Sequence, residues 1–278
     1  MPSRVDLHIH TACSDGVLSP KDAVERASSL GLQIIAITDH DTLAGIPSAL
    51  DTAREVGLEC IPGVEISCEM AKGEAHILGY FVATDEDTAL SVMLARFRAA
   101  RLERAQEILR KLARLGVTVD WQEVQHIAGG ESVGRPHVAR ALVERGHVRT
   151  VGEAFERYLR RDGPAYVPRF RVAPKEAIRL IHDAGGVAVL AHPWDVADIV
   201  EWLAGEGLDG LEAYYPFYAA AMTAQLVAIA ERLGLIVTGG SDFHGPGVSA
   251  DVEMGSVDVP ECIVEALHER RRMLHGGG

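Results

Sequence analysis

Short apolar runs stop, again and again along this chain, at a histidine or a carboxylate. Val5 leads into Asp6-Leu7-His8-Ile9-His10, with Asp15 close behind, and Ile34-Ile35-Ala36-Ile37 ends in Thr38-Asp39-His40-Asp41. Glu65 is followed by His76, a further run ends in Ala191-His192-Pro193, and Leu235-Ile236-Val237-Thr238 precedes Ser241-Asp242-Phe243-His244. These endings limit the fold to one whose strand ends gather in a single place. Strands alternating with helices imply a parallel sheet. With about seven such strands and polar residues at their C-terminal ends, a closed α/β barrel fits better than an open sheet.

Strands are expected at 5–10, 34–40, 59–67, 75–82, 187–192, 210–215 and 235–239. A helix over 20–30 has Ser19 as its cap, Pro20 at its first position and Gly31 after its end. Further helices are expected at 44–56, 174–184, 197–204, 219–233 and 260–272, before the glycine tail. The middle reads differently. Residues 88–115 contain neither Gly nor Pro and read as one long helix stopped by Gly116; helical stretches at 120–127, 136–145 and 151–161 follow. The expected organisation is a barrel in two pieces, 1–88 and 171–278, interrupted by a helical insertion domain over 89–170.

The formal net charge of −13 by itself argues against a polyanionic partner, because Lys and Arg supply the sequence-independent affinity for phosphates. Its distribution says otherwise. Residues 89–171 hold 16 Lys/Arg against 9 Asp/Glu, a balance of +7, whereas the remainder holds 11 against 31, a balance of −20. The plain alternative is a set of arginine-rich solvated helices. Four cysteines (Cys13, Cys60, Cys68, Cys262) lie far apart with no C-x-x-C pair, so neither a zinc ribbon nor a disulfide framework is indicated. No apolar run approaches the roughly 18 residues of a membrane helix, and a strand beginning at Val5 leaves no room for a signal peptide. A cytoplasmic protein with no membrane and no stable protein partner is expected.

Residues two apart on a strand share a face, so Asp6, His8 and His10 are expected to project together, as are Asp242 and His244. Two imidazoles so placed can hold one metal ion without distorting the backbone. Asp39 and His40 point apart; one is expected to be a ligand and the other to orient a ligand by hydrogen bond. A lone H-x-H carries little, but with D-H, H-P and D-x-H at successive strand ends it points to a metal centre. The candidate ligands are His8, His10, Asp15, His40, Glu65, His76, His192, Asp242 and His244. A single catalytic zinc takes about three protein ligands. This larger set therefore implies two or three ions, with a carboxylate such as Glu65 bridging. Imidazole and carboxylate donors without thiolate suit Mn, Zn or Fe, with Mg a further option.

Taken together, D-L-H-I-H-T-x-x-S-D-G, I-T-D-H-D-T, P-G-V-E, H-I-L-G-Y, A-H-P and G-S-D-F-H-G resemble the polymerase and histidinol phosphatase (PHP) superfamily, from Val5 to about Gly245. The resemblance implies a distorted (β/α)7 barrel holding three divalent ions, Mn foremost. By that likeness one ion takes His8, His10, Glu65 and Asp242, and a second shares Glu65 and adds His76 and His192. The third takes Asp15, His40 and His244. Every position is filled, which implies a catalytic module. The length, the insertion bearing Gly134-Arg135-Pro136-His137, and Tyr166-Val167-Pro168-Arg169 are most similar to the nucleoside 3′,5′-bisphosphate phosphatases. That subgroup overlaps with 5′-3′ exoribonucleases acting on short 5′-phosphorylated RNA.

The implied nucleophile is a hydroxide bridging two ions and held by Glu65, His192 and Asp242, because metal binding lowers the pKa of water. It attacks phosphorus in line while the ions hold the other oxygens. Arg135, His137 and Arg169 are expected to grip a second phosphate, arginine's planar fork bonding two oxygens at once; Arg171 is a further candidate. The expected substrates are 3′,5′-bisphosphonucleosides such as 3′-phosphoadenosine 5′-phosphate, AMP-like nucleotides, or short 5′-phosphorylated RNA. Histidinol phosphate or another small phosphomonoester is the alternative, and a non-catalytic metal-binding module the third reading. Tyr214, Tyr215, Phe217 and Tyr218 fit either stacking on a base or an apolar lining of the barrel mouth. Asp41 is expected to orient its loop and Cys13 to pack. His126, His147, His182, His268 and His275 lack ligand-like company.

Overall fold

A computed structural model describes residues 4–70, 73–128, 133–170, 172–248 and 252–276. The chain divides into two compact units, Met1–Leu94 with Arg171–Gly278, and Ala95–Phe170. The strands are β1 (Val5–Ile9), β2 (Ile34–Ile37), β3 (Glu59–Glu69), β4 (Glu74–Tyr80), β5 (Val187–Leu190), β6 (Gly210–Tyr214) and β7 (Ile236–Gly239), and they lie in that order across one sheet. The helices are α1 (Pro20–Ser29), α2 (Ile46–Val56), α3 (Ala89–Arg114), α4 (Trp121–Ala128), α5 (Arg135–Glu144), α6 (Val151–Ala154), α7 (Pro174–Asp183), α8 (Val200–Gly205), α9 (Ala220–Leu233) and α10 (Cys262–His275).

Strands β1, β2 and β3 are parallel, as are β5, β6 and β7, but β4 runs antiparallel to both its neighbours. This corrects the expectation of a uniformly parallel sheet, and the reason is chain length. A parallel crossover takes a dozen residues or more, whereas only residues 70–73 separate β3 from β4. The two strands form a hairpin pairing Glu65 with Leu78 and Ser67 with His76. The curled sheet brings its edges together where Ile9 bridges Phe243 and the His10 amide donates to the Phe243 carbonyl at 2.9 Å.

Val5, Leu7, Ala36, Ile61, Leu78, Tyr80, Val187 and Val189 pack the interior at one end of this unit, with Ile263, Val264 and Leu267 of α10 against them. The wholly buried Tyr80 donates its hydroxyl to the Leu7 carbonyl at 3.0 Å, which satisfies the one polar atom of that ring. At the start of α1, the Asp22 amide donates to Ser19 Oγ at 3.1 Å, ahead of a proline at the first helical position. Two helices differ from expectation. The stretch expected over 151–161 is α6 followed by a π-helical turn at Phe155–Leu159, and α8 is preceded by a 3-10 segment at Pro193–Ile199 kinked at Val196.

The second unit has a core of its own, in which Ile108, Leu112, Val124, Val138, Leu142 and Leu159 are buried. All four cysteines are free thiols. Among the described residues no helix is long and apolar enough to cross a membrane.

Candidate metal centre

The strand ends of the first unit deliver a cluster of imidazoles and carboxylates. β1 carries His8 and releases His10 one residue past its end. The pairing of β1 with β2 shifts register between Asp6 and Ile9. Leu7 stays in the apolar packing while His8 joins His10 in the polar cluster, as the two-residue period of a strand requires. Asp6, which is not among the candidate ligands, lies outside the donor groups. Its Oδ1 and Oδ2 accept from the Ser241 and Gly255 amides, each at 2.9 Å, and so fix the segment that presents Asp242. Gly240 lies against His8: a Cβ there would come within 2.5 Å of His8 Cβ and N, so no other residue fits without displacement.

Three overlapping donor groups result: His8, His10, Glu65 and Asp242; His10, Asp15, His40 and His244; and His40, Glu65 and His76. In the first, His8 Nε2 and His10 Nε2 are 3.1 Å apart, and Glu65 Oε2 and Asp242 Oδ1 lie 3.1–3.4 Å from each nitrogen. Four ligands at 2.0–2.1 Å from a tetrahedral ion would sit about 3.3–3.4 Å from one another. The cage therefore has the dimensions of an ion-binding site. Glu65 Oε1 meets His76 Nδ1 at 2.9 Å and His192 Nε2 at 3.2 Å, so one carboxylate faces two sets of imidazoles through its two oxygens. Asp15 lies 3.4 Å from His244 Nε2 and 3.6–3.7 Å from His10 and His40.

Glu65 Oε2, His10 Nδ1 and His40 Nδ1 are buried without a hydrogen-bond partner, although His40 Nδ1 is only 3.0 Å from Glu65 Oε2. Buried polar atoms are ordinarily satisfied. Orphans that converge at contact distance without hydrogen-bond geometry fit donors aimed at a cation.

The electrostatics agree. Burial opposes the charge on Glu65, yet His40, His8, His76 and His10 hold its carboxyl well below the usual range. Burial likewise opposes ionisation of Asp242, which His8 and His10 overcome, and of Asp15, which His244, His40 and His10 overcome. Against the effect of burial, the carboxylates raise His10 to about 9 and His76 to about 10. Burial takes His40 down to about 4.

Behind the cage lies Glu212 of β6, fully buried, which sequence reasoning missed. Its Oε1 is 2.9 Å from His8 Nδ1, and its Oε2 accepts the His192 amide at 2.7 Å. An ionised carboxylate only accepts, so Glu212 holds a proton on His8 Nδ1 and leaves Nε2 as the nitrogen that a neutral ring would offer to a cation. His192 and Asp242 both sit at positive φ, 29° and 53°, a conformation unfavourable for residues with a side chain and typical of functional sites. The Tyr215 hydroxyl donates to Asp242 Oδ2 at 2.9 Å, leaving Oδ1 to the histidines. Burial and Asp242 push that phenol above its ordinary range, so it stays a donor.

Asp39 pins the loop that carries Asp15, accepting from the Thr11 amide and hydroxyl at 2.7 Å each and from Ser14 Oγ at 2.6 Å. It acts on a loop, while His40 faces Glu65. Asp41, at φ 53°, accepts the Ser67 amide at 3.1 Å. Away from the cluster, His182 pairs with Asp209 at 2.7 Å and His268 with Glu59 at 3.2 Å.

The basic candidates lie in the second unit. Arg135 opens α5, donates from Nη1 to the Leu159 carbonyl at 3.1 Å, and stands over the rings of Phe155 and Tyr166. His137 Nδ1 accepts the Gly134 amide at 3.0 Å, closing the first turn. Arg169 is exposed. Arg171 falls outside the described residues.

A sequence profile of the PHP domain matches residues 6–158. The 5′-3′ exoribonuclease of Haemophilus influenzae is 39% identical over 95% of this chain and 98% of its own length. The 3′,5′-nucleoside bisphosphate phosphatase of Chromobacterium violaceum is 32% identical over 88% of each chain. Among solved structures, a Bifidobacterium adolescentis chain assigned as a metal-dependent phosphoesterase superposes with a TM-score of 0.79 at 32% identity, covering 97% of this chain and 98% of that one.

Proposed function

Because this chain belongs to the PHP family and is a metal-dependent phosphoesterase, we propose that its substrates are phosphorylated nucleotides. On this reading it removes phosphate from 3′,5′-bisphosphonucleosides and AMP-like nucleotides and acts on short 5′-phosphorylated oligoribonucleotides. The observation that carries the chemistry is Glu65, buried with one oxygen toward His8, His10 and His40 and the other toward His76 and His192. The names of the exoribonuclease and bisphosphate phosphatase relatives support the nucleotide class.

The proposed ligands of three divalent ions, Mn foremost, are His8, His10, Asp15, His40, Glu65, His76, His192, Asp242 and His244. Divalent ions there supply a nucleophile at neutral pH and neutralise charge on the phosphoryl oxygens. The chain's own part is orientation. Glu212 presents His8 through Nε2 and holds the His192 backbone in its strained turn. Tyr215 directs Asp242, and Asp39 holds the Asp15 loop. Glu65, His192 and Asp242 are proposed to border the point of attack on phosphorus. Arg135, His137 and Arg169 of the basic unit are proposed to supply affinity for further phosphates, where a guanidinium fork serves better than a point charge.

The test is phosphate release in Mn²⁺ from adenosine 3′,5′-bisphosphate, AMP, histidinol phosphate and a short 5′-phosphorylated RNA. The nucleotide substrates are expected to lead in kcat/KM. Preference for histidinol phosphate would overturn the assignment.

A further inference from the structure

We propose that the exposed rings of Trp194 and Phe217, on the loops following β5 and β6, form a stacking platform for the substrate's nucleobase. This inference rests on the nucleotide reading of the neighbouring site and adds how the base is held. A line of rings leads away from the cage. His192 is 5.6 Å from Tyr215, whose hydroxyl bonds Asp242; Tyr215 is 5.7 Å from Phe217 and 5.1 Å from Tyr218, and Tyr218 is 6.2 Å from Trp194. Two such ring spacings separate the ligand His192 from Phe217, roughly the reach of a ribose and its base, with centroids spaced as in ordinary aromatic contacts.

The rings at the end of this line are uncovered. Phe217 is 59% exposed and Trp194 36%. A lining of the barrel mouth would be buried, and Tyr214 fills that role by packing against the core. Beside Phe217 the chain continues with Ala219, Ala220 and Ala221, all exposed and too short to shield a ring. Hydrogen bonds nonetheless tie the segments that carry these rings to each other. The Trp194 amide donates to the Tyr218 hydroxyl at 2.9 Å, and the Tyr218 amide to the Tyr215 carbonyl at 3.1 Å. Apolar faces fixed in place beside a phosphate-hydrolysing centre suit a flat neutral ring. Exposed Asp195 and Asp198 next to Trp194 disfavour a phosphate at the same spot. Stacking on aromatic side chains tolerates any base, because every base has a π-face.

Two measurements test this. With Trp121→Phe and Trp202→Phe in place, Trp194 is the only tryptophan. AMP is expected to quench its fluorescence and ribose 5-phosphate to leave it unchanged, with or without added Mn²⁺. In parallel, Phe217→Ala should raise KM for AMP about tenfold relative to KM for ribose 5-phosphate, and Phe217→Tyr should restore the ratio. Equal quenching by both ligands, or an unchanged KM ratio in Phe217→Ala, overturns the platform. If neither compound is hydrolysed, the reading of AMP-like nucleotides as substrates fails, while the fluorescence result still decides the platform by itself.

Discussion

His8 and Glu212 are joined by a hydrogen bond of 2.9 Å between two side chains buried from solvent and separated by 204 residues of sequence. Because the same carboxylate also accepts the His192 amide, one residue behind the cage sets both an imidazole tautomer and a backbone conformation. Replacing Glu212 with Gln puts an amide that can donate opposite Nδ1 and offers His8 the wrong tautomer. Such outer partners are worth roughly 10–100-fold in metal affinity. Calorimetric titration of Mn²⁺ into Glu212→Gln is expected to show a loss of that size; unchanged affinity would remove the role.

Replacement of His8 itself should cost more. His8→Ala removes one corner of the first donor group, and phosphate release should fall by more than about 100-fold, beyond an outer partner's effect. Bound metal, measured by elemental analysis, should fall with it. Full activity in His8→Ala would sink the site.

The histidines also give the centre a pH dependence of known sign. In chelated protein His10, at about 9, and His76, at about 10, are protonated at pH 7. Metal must displace those protons, so affinity should rise with pH by as much as roughly tenfold per unit for each proton released. Both values lie above the ordinary 6.5, so the stability that these groups give the chelated fold is complete below about 6.5 and is lost as pH rises through 9 to 10. Titration in buffers of differing ionisation enthalpy measures the protons. Metal uptake without proton release would contradict the protonation of His10 and His76.

Arg135 separates structure from binding. Its guanidinium braces the Leu159 carbonyl and two rings within its own unit. Arg135→Lys keeps the charge but loses the planar fork. KM for adenosine 3′,5′-bisphosphate is expected to rise about tenfold relative to KM for an aryl phosphate, the equivalent of one charge-assisted hydrogen bond. A fall in melting temperature with an unchanged KM ratio would assign the residue to bracing alone.

Gly240→Ala tests the cage without touching a ligand. The new methyl would sit 2.5 Å from His8 backbone and Cβ, and overpacking of this kind costs about 1–3 kcal/mol. Thermal denaturation and Mn²⁺ titration should both register it; an unaffected protein would mean that the strands separate freely at this point.

The clustering of the donors was legible in the sequence because they stand where apolar runs end, and the two-residue period puts His8 and His10 on one side of β1. Glu212 was not legible. A single Glu within Gly210-Leu211-Glu212-Ala213-Tyr214 looks like the solvated member of an alternating strand, and its meaning comes from His8, far away in the chain. The role of Asp6 was not legible either, because the Ser241 and Gly255 amides that it accepts lie far away in the chain. The reversal of β4 could have been read from the four residues before it, since no helix fits there. Stretch 151–161 has helical composition throughout, so the widening at Phe155–Leu159 left no mark.

The hairpin of β3 and β4 has a consequence of another kind. Glu65 and His76 reach the centre on one continuous ladder, with Glu65 set against Leu78 and Ser67 against His76. A slip of β4 by a single residue would reverse the face of every side chain on it, taking His76 from Glu65 while the other strands kept their places. Fidelity of the centre is therefore a question of hairpin alignment during folding. A misaligned chain would fail as a distinct, inactive species, not as a gradually weakened enzyme.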